Sequence, residues 1–376
     1  MKVSKPFLKN AWYAAAWSYE VKKELFERTI IGESVLFYRK EDNQAVAINN
    51  ACPHRYSPLH LGTLIGDVVE CKYHGLRYDS TGRCVHNPHG DGKIPEKMCT
   101  RAYPLEETHN MLWIWMGDPA LADPATIPDF GCQSDPDYPS VEGVIEMHGN
   151  YELITDNLMD LSHVEFLHKG ILGSEAIKRG EHELLQDGTT VWSNRWCPDG
   201  LAPPAWDHMF KDYGKPVDHW LYMRWDAPAH MLLDVGITPT GRPRSEGIWM
   251  YGTDILTPKD QTSTYYFWGV ARDHDKDNDE MGKIWTSAIE VAFGTQDKPM
   301  IEAQQGMLEA LGVIDLDEVD PVLLPMDSAT VRCRRVLDQL RREDGTRLPD
   351  PRNPALVELV EKTKAAEYEG KVVPVV

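Results

Sequence analysis

Cys52-Pro53-His54 is followed, after sixteen intervening residues, by Cys71-Lys72-Tyr73-His74. Two cysteines and two histidines thus arrive as two pairs, each closing a short strand-and-turn segment. Thiolate and imidazole are natural ligands of zinc and of iron–sulfur centres. Structural zinc usually takes like pairs, two cysteines a few residues apart or two histidines a few residues apart. Here each pair is mixed. An asymmetric [2Fe–2S] cluster, with two cysteines on one iron and two histidines on the other, needs that mixture, because each loop then donates to both irons. Pro53, Gly62 and Gly75 suit tight loops whose backbone amides approach cluster sulfurs. Zinc, or buried cysteines beside unrelated loop histidines, are the alternatives. The other cysteines (Cys84, Cys99, Cys132, Cys197 and Cys333) show no pairing and read as core or surface thiols. His86 and His89 read as packing or hydrogen-bonding residues.

Working outward, residues 30–116 read as short strands and turns. Val35-Leu36-Phe37-Tyr38 and Ala45-Val46-Ala47-Ile48 flank a polar turn, and Gly75-Leu76-Arg77-Tyr78 and Arg83-Cys84-Val85 flank Asp79-Ser80-Thr81-Gly82. Prolines at 119, 124, 128, 136 and 139 mark an irregular linker. The boundaries expected are 1–120 for the cluster domain, 121–345 for a second domain and 346–376 for a terminal helix and tail. Within the second domain, Tyr151 to Lys169 has helical spacing, residues 190–270 read as a sheet, and 279–312 return to a helical pattern. A further helix should run from Asp327 to Arg342, opened by an Asp-Ser cap. The fold class implied is α+β: a small antiparallel β domain, then a larger domain with an antiparallel sheet flanked by helices.

The chain carries 59 acids against 39 bases, a net charge of −20. Such a surface is repelled by phosphate backbones and anionic lipid, which argues against nucleic-acid and membrane partners. No run approaches the ~18 apolar residues of a spanning helix. The N-terminal residues lack a signal-peptide pattern, and seven cysteines do not make a disulfide scaffold. A cytoplasmic protein is the expectation.

A second constellation lies at Asp156-Asn157-Leu158-Met159-Asp160-Leu161-Ser162-His163-Val164-Glu165-Phe166-Leu167-His168. His163 and His168 are five apart, about 140° around an ideal helix, so a shared metal requires a bent helix or a ligand beyond its end. Taken alone they read as unrelated more readily than as co-ligands. Asp160 and His163, three apart, share a face. A carboxylate that orients a ligand imidazole is a standard device, and the polar run inside an apolar helix asks for a partner.

Cys52-x-His54 and Cys71-x2-His74 resemble the Rieske motif of aromatic-ring hydroxylating oxygenases, and residues 157–168 resemble the segment in which those enzymes hold mononuclear iron. The stretch from Asn10-Ala11-Trp12-Tyr13 through Asp129-Phe130-Gly131-Cys132 is similar to the oxygenase components of the vanillate and dicamba O-demethylases. The resemblance implies a Rieske [2Fe–2S] cluster on Cys52, His54, Cys71 and His74, and Fe(II) on His163 and His168. Gln296-Asp297-Lys298-Pro299 resembles the third-ligand segment, which makes Asp297 the carboxylate; spacing alone does not select it, and an Asp before Lys-Pro is also a good helix cap. Asn157 matches a positioning residue beside the iron. Asp160 matches an acid that bridges a cluster histidine of one subunit to an iron histidine of its neighbour in a head-to-tail ring, usually a homotrimer.

The activity so implied is that of a Rieske monooxygenase: O₂-dependent oxidative O- or N-dealkylation of a small aromatic compound. Ring or methyl hydroxylation is the alternative, and a Rieske electron carrier without catalysis the remote one. Electrons would come from NAD(P)H through a separate reductase, a ferredoxin or both, since no nucleotide fingerprint or four-cysteine ferredoxin pattern is present. Arg55, Lys72, Arg77 and Arg83 could form a docking patch for that donor. Trp206, Trp225, Trp249, Trp285 and Met231 are pocket candidates. One departure from the O-demethylases stands out: Asp254, in Gly252-Thr253-Asp254-Ile255-Leu256-Thr257-Pro258, replaces a histidine. An anionic benzoate fits that position poorly; an amide, amine or cation fits it better.

Overall fold

Turn chemistry written into the early chain produces short hairpins. The computed structural model describes residues 5–210, 214–345 and 366–367. β1 (Trp12–Trp17), β2 (Phe26–Ile30), β3 (Glu33–Arg39) and β4 (Ala45–Asn49) come first. β2, β3 and β4 form an antiparallel sheet in which Val35 faces Asn49 and Leu36 faces Ile48, the expected first hairpin. Asn43 holds its turn at φ 72°, a left-handed position that asparagine tolerates. β5 (Thr63–Ile65), β6 (Val68–Glu70), β7 (Arg77–Tyr78) and β8 (Cys84–His86) build a second antiparallel sheet. Asp79 Oδ1 fixes the β7–β8 turn by accepting from Thr81 N, Thr81 Oγ1 and Arg83 N. In a third sheet, β10 (Met111–Trp115) runs between β1 and β9 (Leu105–Thr108). Beyond it, Asp118 and Asp123 each cap a single 3₁₀ turn begun by proline. The chain divides into two compact units: Lys9–Asp129 with Thr257–Asp260, and Phe130–Leu256 with Gln261 onward and the N-terminal residues through Leu8.

The larger unit is built on one antiparallel sheet. Its strands are β11 (Ser140–Met147), β12 (Glu181–Asp187), β13 (Thr190–Leu201), β14 (Pro216–Asp226), β15 (His230–Pro239), β16 (Ile248–Pro258) and β17 (Thr264–Arg272). The spatial order is β11-β17-β16-β15-β14-β13-β12, so the sheet expected over 190–270 is present, and its strands run as a meander. β18 (Ala366–Glu367) adds in parallel at the β12 edge. Helices α1 (Tyr151–Met159), α2 (Val164–Leu167), α3 (Glu175–Arg179), α4 (Pro204–Phe210), α5 (Asp279–Ile289), α6 (Lys298–Ala310) and α7 (Ser328–Glu343) accompany the sheet. α5 and α6 pack on β11, and α3 and α7 on β13. The architecture is α+β, as expected.

Three elements differ from the sequence expectation. The helix over 151–169 breaks: α1 ends at Met159, Asp160 leaves helical geometry (φ −88°, ψ 86°), and α2 is one turn. The helical stretch over 279–312 holds a π-helical segment, Glu290–Asp297, between α5 and α6. Pro299 supplies the reason, since its ring has no N–H and collides with the carbonyl four residues back, so the ladder before it must change pitch. Asp327 precedes α7 but does not cap it; its carboxylate accepts from Leu324 N instead. The terminal helix expected after Pro351 lies outside the described residues.

Candidate metal centres and active-site pocket

The two cluster loops share one backbone pattern. Cys52 N donates to Ser57 O and Tyr56 N to Cys52 O; Cys71 N donates to Leu76 O and Gly75 N to Cys71 O. The fourth residue after each cysteine therefore turns left-handed, Tyr56 at φ 53° and Gly75 at φ 66°. For Gly75 this conformation is free; for a tyrosine it is a strain that the loop must hold in place. Both cysteines are buried and unpaired, while His54 is exposed and His74 half-buried. The two imidazoles meet edge to face with ring centroids 4.5 Å apart. Burial pushes the Cys52 thiol above its ordinary pKa. A thiolate there needs a cation to neutralise it, and Tyr78 OH stands 3.1 Å from its sulfur. No three of the four residues bring ligand atoms within 4.8 Å of one another, among the described residues, as a single zinc ion would demand. Thiols inside and imidazoles outside fit a two-iron group with unlike ends. His89 Nε2 lies 2.8 Å from His74 O, the hydrogen-bonding role expected of it.

In the larger unit, one side chain from each of His163, His168 and Asp297 brings a ligand atom within 4.8 Å of the others. The broken helix explains how. His163 opens α2 and His168 closes it, so the two rings converge although an unbroken helix would separate them. Their Nε2 atoms are 3.2 Å apart. His163 Nδ1 lies 2.5 Å from the Asp160 carbonyl, and His168 Nδ1 lies 2.8 Å from Gln296 Oε1. An Nδ1 that donates leaves Nε2 with its lone pair. Asp297 ends the π segment with Oδ1 3.8 Å from His163 Nε2 and Oδ2 3.3 Å from His168 Nε2. Buried Oδ2 accepts no hydrogen bond. Three lone-pair atoms thus converge, an unfavourable arrangement that a divalent cation resolves, and two histidines with one carboxylate form the facial set of non-haem iron. Burial holds His163 below its ordinary pKa; at His168 burial is outweighed by Asp297 and Gln296, which raise it.

The neighbours are placed as follows. Asn157 Nδ2 reaches Asp297 Oδ1 at 3.4 Å. The Asp160 carboxylate accepts from Ser162 N and Oγ, so within the chain it is the Asp160 carbonyl that meets His163. The shared helical face expected of that pair does not form, because the helix has already ended. Asp297 does not cap α6 through its side chain. Glu302 accepts from His148 N, away from the three ligands. Gln296 escaped the sequence reading; only its place beside Asp297 before Pro299 could have flagged it.

An apolar pocket opens beside His163 and His168. Sheet alternation lines one wall, with His219, Leu221 and Met223 from β14 and Met250, Gly252 and Asp254 from β16. Of the five pocket candidates, Trp206 lines it; Trp225, Trp285 and Met231 are buried elsewhere and Trp249 is not in the wall. His219 was missed, since one histidine in an apolar strand carries no signal of its own. Burial takes His219 down to about 3 and Asp254 up to about 7.

Known proteins share both halves of this arrangement. Residues 11–104 match the Rieske [2Fe–2S] domain, and residues 147–343 match the vanillate O-demethylase oxygenase C-terminal domain. The chain is 36% identical to the dicamba O-demethylase oxygenase component of Stenotrophomonas maltophilia, across 89% of this chain and 98% of that one. It is also 36% identical to the chloroacetanilide N-alkylformylase oxygenase component of Rhizorhabdus wittichii, across 90% and 97%. A crystal structure of dicamba monooxygenase with non-haem iron and dicamba superposes with a TM-score of 0.79 at 35% identity, covering 91% of this chain and all of that one. With a pair of mixed Cys-His loops in one unit and a two-histidine, one-carboxylate site in the other, the chain belongs to the Rieske non-haem iron oxygenases, as an oxygenase component with a vanillate O-demethylase-type C-terminal domain.

Proposed function

We propose that the protein removes an alkyl group from oxygen or nitrogen of a small aromatic compound. The observation that carries this reading is the apolar pocket opening directly onto His163 and His168. Hydroxylation of the alkyl carbon gives a hemiacetal or hemiaminal that collapses: R–X–CH₃ + O₂ + 2e⁻ + 2H⁺ → R–XH + HCHO + H₂O. The cluster and the mononuclear iron would, when bound, supply the redox chemistry; this chain's residues bind and orient. In our reading Cys52 and Cys71 hold one cluster iron and His54 and His74 the other. His163, His168 and Asp297 hold the mononuclear Fe(II). Asn157 steadies Asp297, and the pocket's apolar wall excludes water from the reacting carbon.

A separate reductase or ferredoxin delivers the electrons, as for any oxygenase component. We further propose a head-to-tail homotrimer in which the Asp160 carboxylate bridges a cluster histidine, His54 or His74, of one subunit to His163 of the next. Its half-exposed position, and a carboxylate that accepts only from Ser162 among the described residues, support that role. The unpaired thiols suit a reducing compartment, and we place the protein in the cytoplasm. No helix among the described residues is long and apolar enough to cross a membrane.

The test is single-turnover reaction of the chemically reduced protein with O₂ and a panel of methoxy- and N-methyl-aromatics. One formaldehyde per dealkylated product supports the reading. A hydroxylated product without aldehyde replaces it with the hydroxylation alternative.

A further inference from the structure

Besides the two iron-facing histidines, the described residues of the pocket wall include one carboxyl, Asp254, one further imidazole, His219, and no lysine or arginine. Asp254 is 2% exposed, and its partner among the described residues is Tyr266, whose hydroxyl donates to Oδ1 at 2.6 Å. Oδ2 faces a gap made by sequence. Gly252 lies two residues earlier on the same strand face, and a Cβ built on it would stand 3.7 Å from Oδ2. Where a side chain would have been, the pocket reaches the carboxyl. Burial disfavours ionised Asp254, and no lysine or arginine among the described wall residues offsets it. A buried acceptor with spare lone pairs is costly until a donor meets it.

His219 does not meet that need. Asp254 is in register with Met231 and Trp225, and His219 lies six residues further along β14. At about 3.3 Å per residue the two polar groups sit roughly 20 Å apart, at opposite ends of the wall. Asp254 is the end that feels Asp297 and therefore the iron.

We propose that Asp254 selects the substrate: the molecule taken up carries an amine or amide N–H that donates to Asp254 Oδ2, and aromatic carboxylates are refused. This rests on the pocket being the substrate site. A carboxylate here would set its oxygen acceptors against the acceptor of Asp254 with no lysine or arginine among the described wall residues to answer them, and acceptors facing each other without solvent are disfavoured.

Three matched probes test it on the holoprotein: 4-methoxybenzamide, 4-methoxytoluene and 4-methoxybenzoate. Calorimetry gives their affinities, and the EPR signal of the nitric oxide adduct of the ferrous site reports whether each sits beside the iron. The amide is expected to bind about tenfold tighter than the methyl compound, the worth of one buried hydrogen bond, with the carboxylate weakest. Asp254→Leu should erase the amide's advantage. Because that variant strands Tyr266, Gly252→Ala serves as its partner. It fits at ordinary contact distances, leaves the Tyr266 bond intact and crowds Oδ2, so it should weaken the amide alone. Equal binding of amide and carboxylate, or an unchanged ranking in both variants, overturns the selection by Asp254 while leaving the pocket as substrate site. If no probe perturbs the EPR signal, the pocket assignment falls and the proposal with it.

Discussion

Gln296 shows how much a single amide decides. Its Oε1, 2.8 Å from His168 Nδ1, fixes which ring nitrogen faces Asp297. Removing such a partner typically costs about 10–100-fold in metal affinity. Gln296→Leu should therefore release the mononuclear iron and spare the cluster. Metal and sulfide analysis should move from about three iron and two sulfide per chain toward two and two, since the cluster accounts for two of each. Loss of sulfide as well would mean that Gln296 serves the fold rather than the iron. At this scale legibility follows chemistry. Cys52, His54, Cys71 and His74 are readable because ligation needs rare residue types at short, local spacing. Asp297 is not, being one acid among 59 and distant from both histidines in sequence. Only resemblance selects it, and the structure then places it beside them. Asp254 was visible as a departure, but its neighbour Gly252, which opens the wall to it, was not.

The end of α1 nearest the proposed iron site is set by a neighbouring helix. Arg334 of α7 is buried and donates to Asp156 on α1 through Nε and Nη2, and to Asp315 through Nη1. Arg341, two turns further along the same face of α7, meets Tyr151 and Glu152 at the start of α1. These contacts account for the polar run before His163: Asp156 answers to α7, while Asn157 turns to Asp297. Breaking one partner of a buried ion network leaves the rest uncompensated, at about 3–5 kcal/mol. Arg334→Met should lower unfolding stability by about that much and loosen iron binding, because Asp156 and Asn157 share one turn. Denaturant titration and iron content check it; full stability with weakened iron would show that the network serves only the site. Elements with regular periodicity were readable in advance, the β13–β17 sheet above all. The break at Asp160 and the π segment were not, because both answer to tertiary demands. His163 must meet His168, and the ladder must yield before Pro299.

Over the whole molecule, the acidic surface makes local exceptions informative. Around the cluster loops Arg55, Lys72 and Arg83 are exposed, while Arg77 is engaged by Glu70 at 2.8 Å. If an acidic donor docks there, reversing Lys72 and Arg55 together to Glu should slow electron delivery at low salt, with the difference shrinking as ionic strength rises. Stopped-flow reduction rates that are equal at low salt would remove the patch. Acidity also acts on the fold through His219. Burial, with no hydrogen-bond partner among the described residues, keeps its imidazole neutral in the folded protein down to about 3. An unfolded histidine titrates near 6.5, so as pH falls below that value only the unfolded state gains the proton. The stabilisation is therefore complete above about pH 6.5 and is lost at roughly 1.4 kcal/mol per pH unit on the way down to the folded value. Glu152 also acts on the acid side: burial would raise it, but Arg341, Lys5 and Arg334 hold it below its ordinary range. Its contribution persists until the pH falls through that ordinary range, while Asp254 at about 7 and Asp156 at about 6 titrate alongside His219 above pH 5, so His219 is read out by difference from a variant that keeps both acids. Between pH 7 and pH 5 the native protein should lose about 2 kcal/mol more unfolding free energy than His219→Phe, which keeps the ring's volume without the proton. Urea titrations of the two proteins, followed by tryptophan fluorescence, measure that difference. Parallel losses would mean that His219 finds a proton partner in solution, water in the pocket being the first candidate, and that this end of the pocket wall is wet.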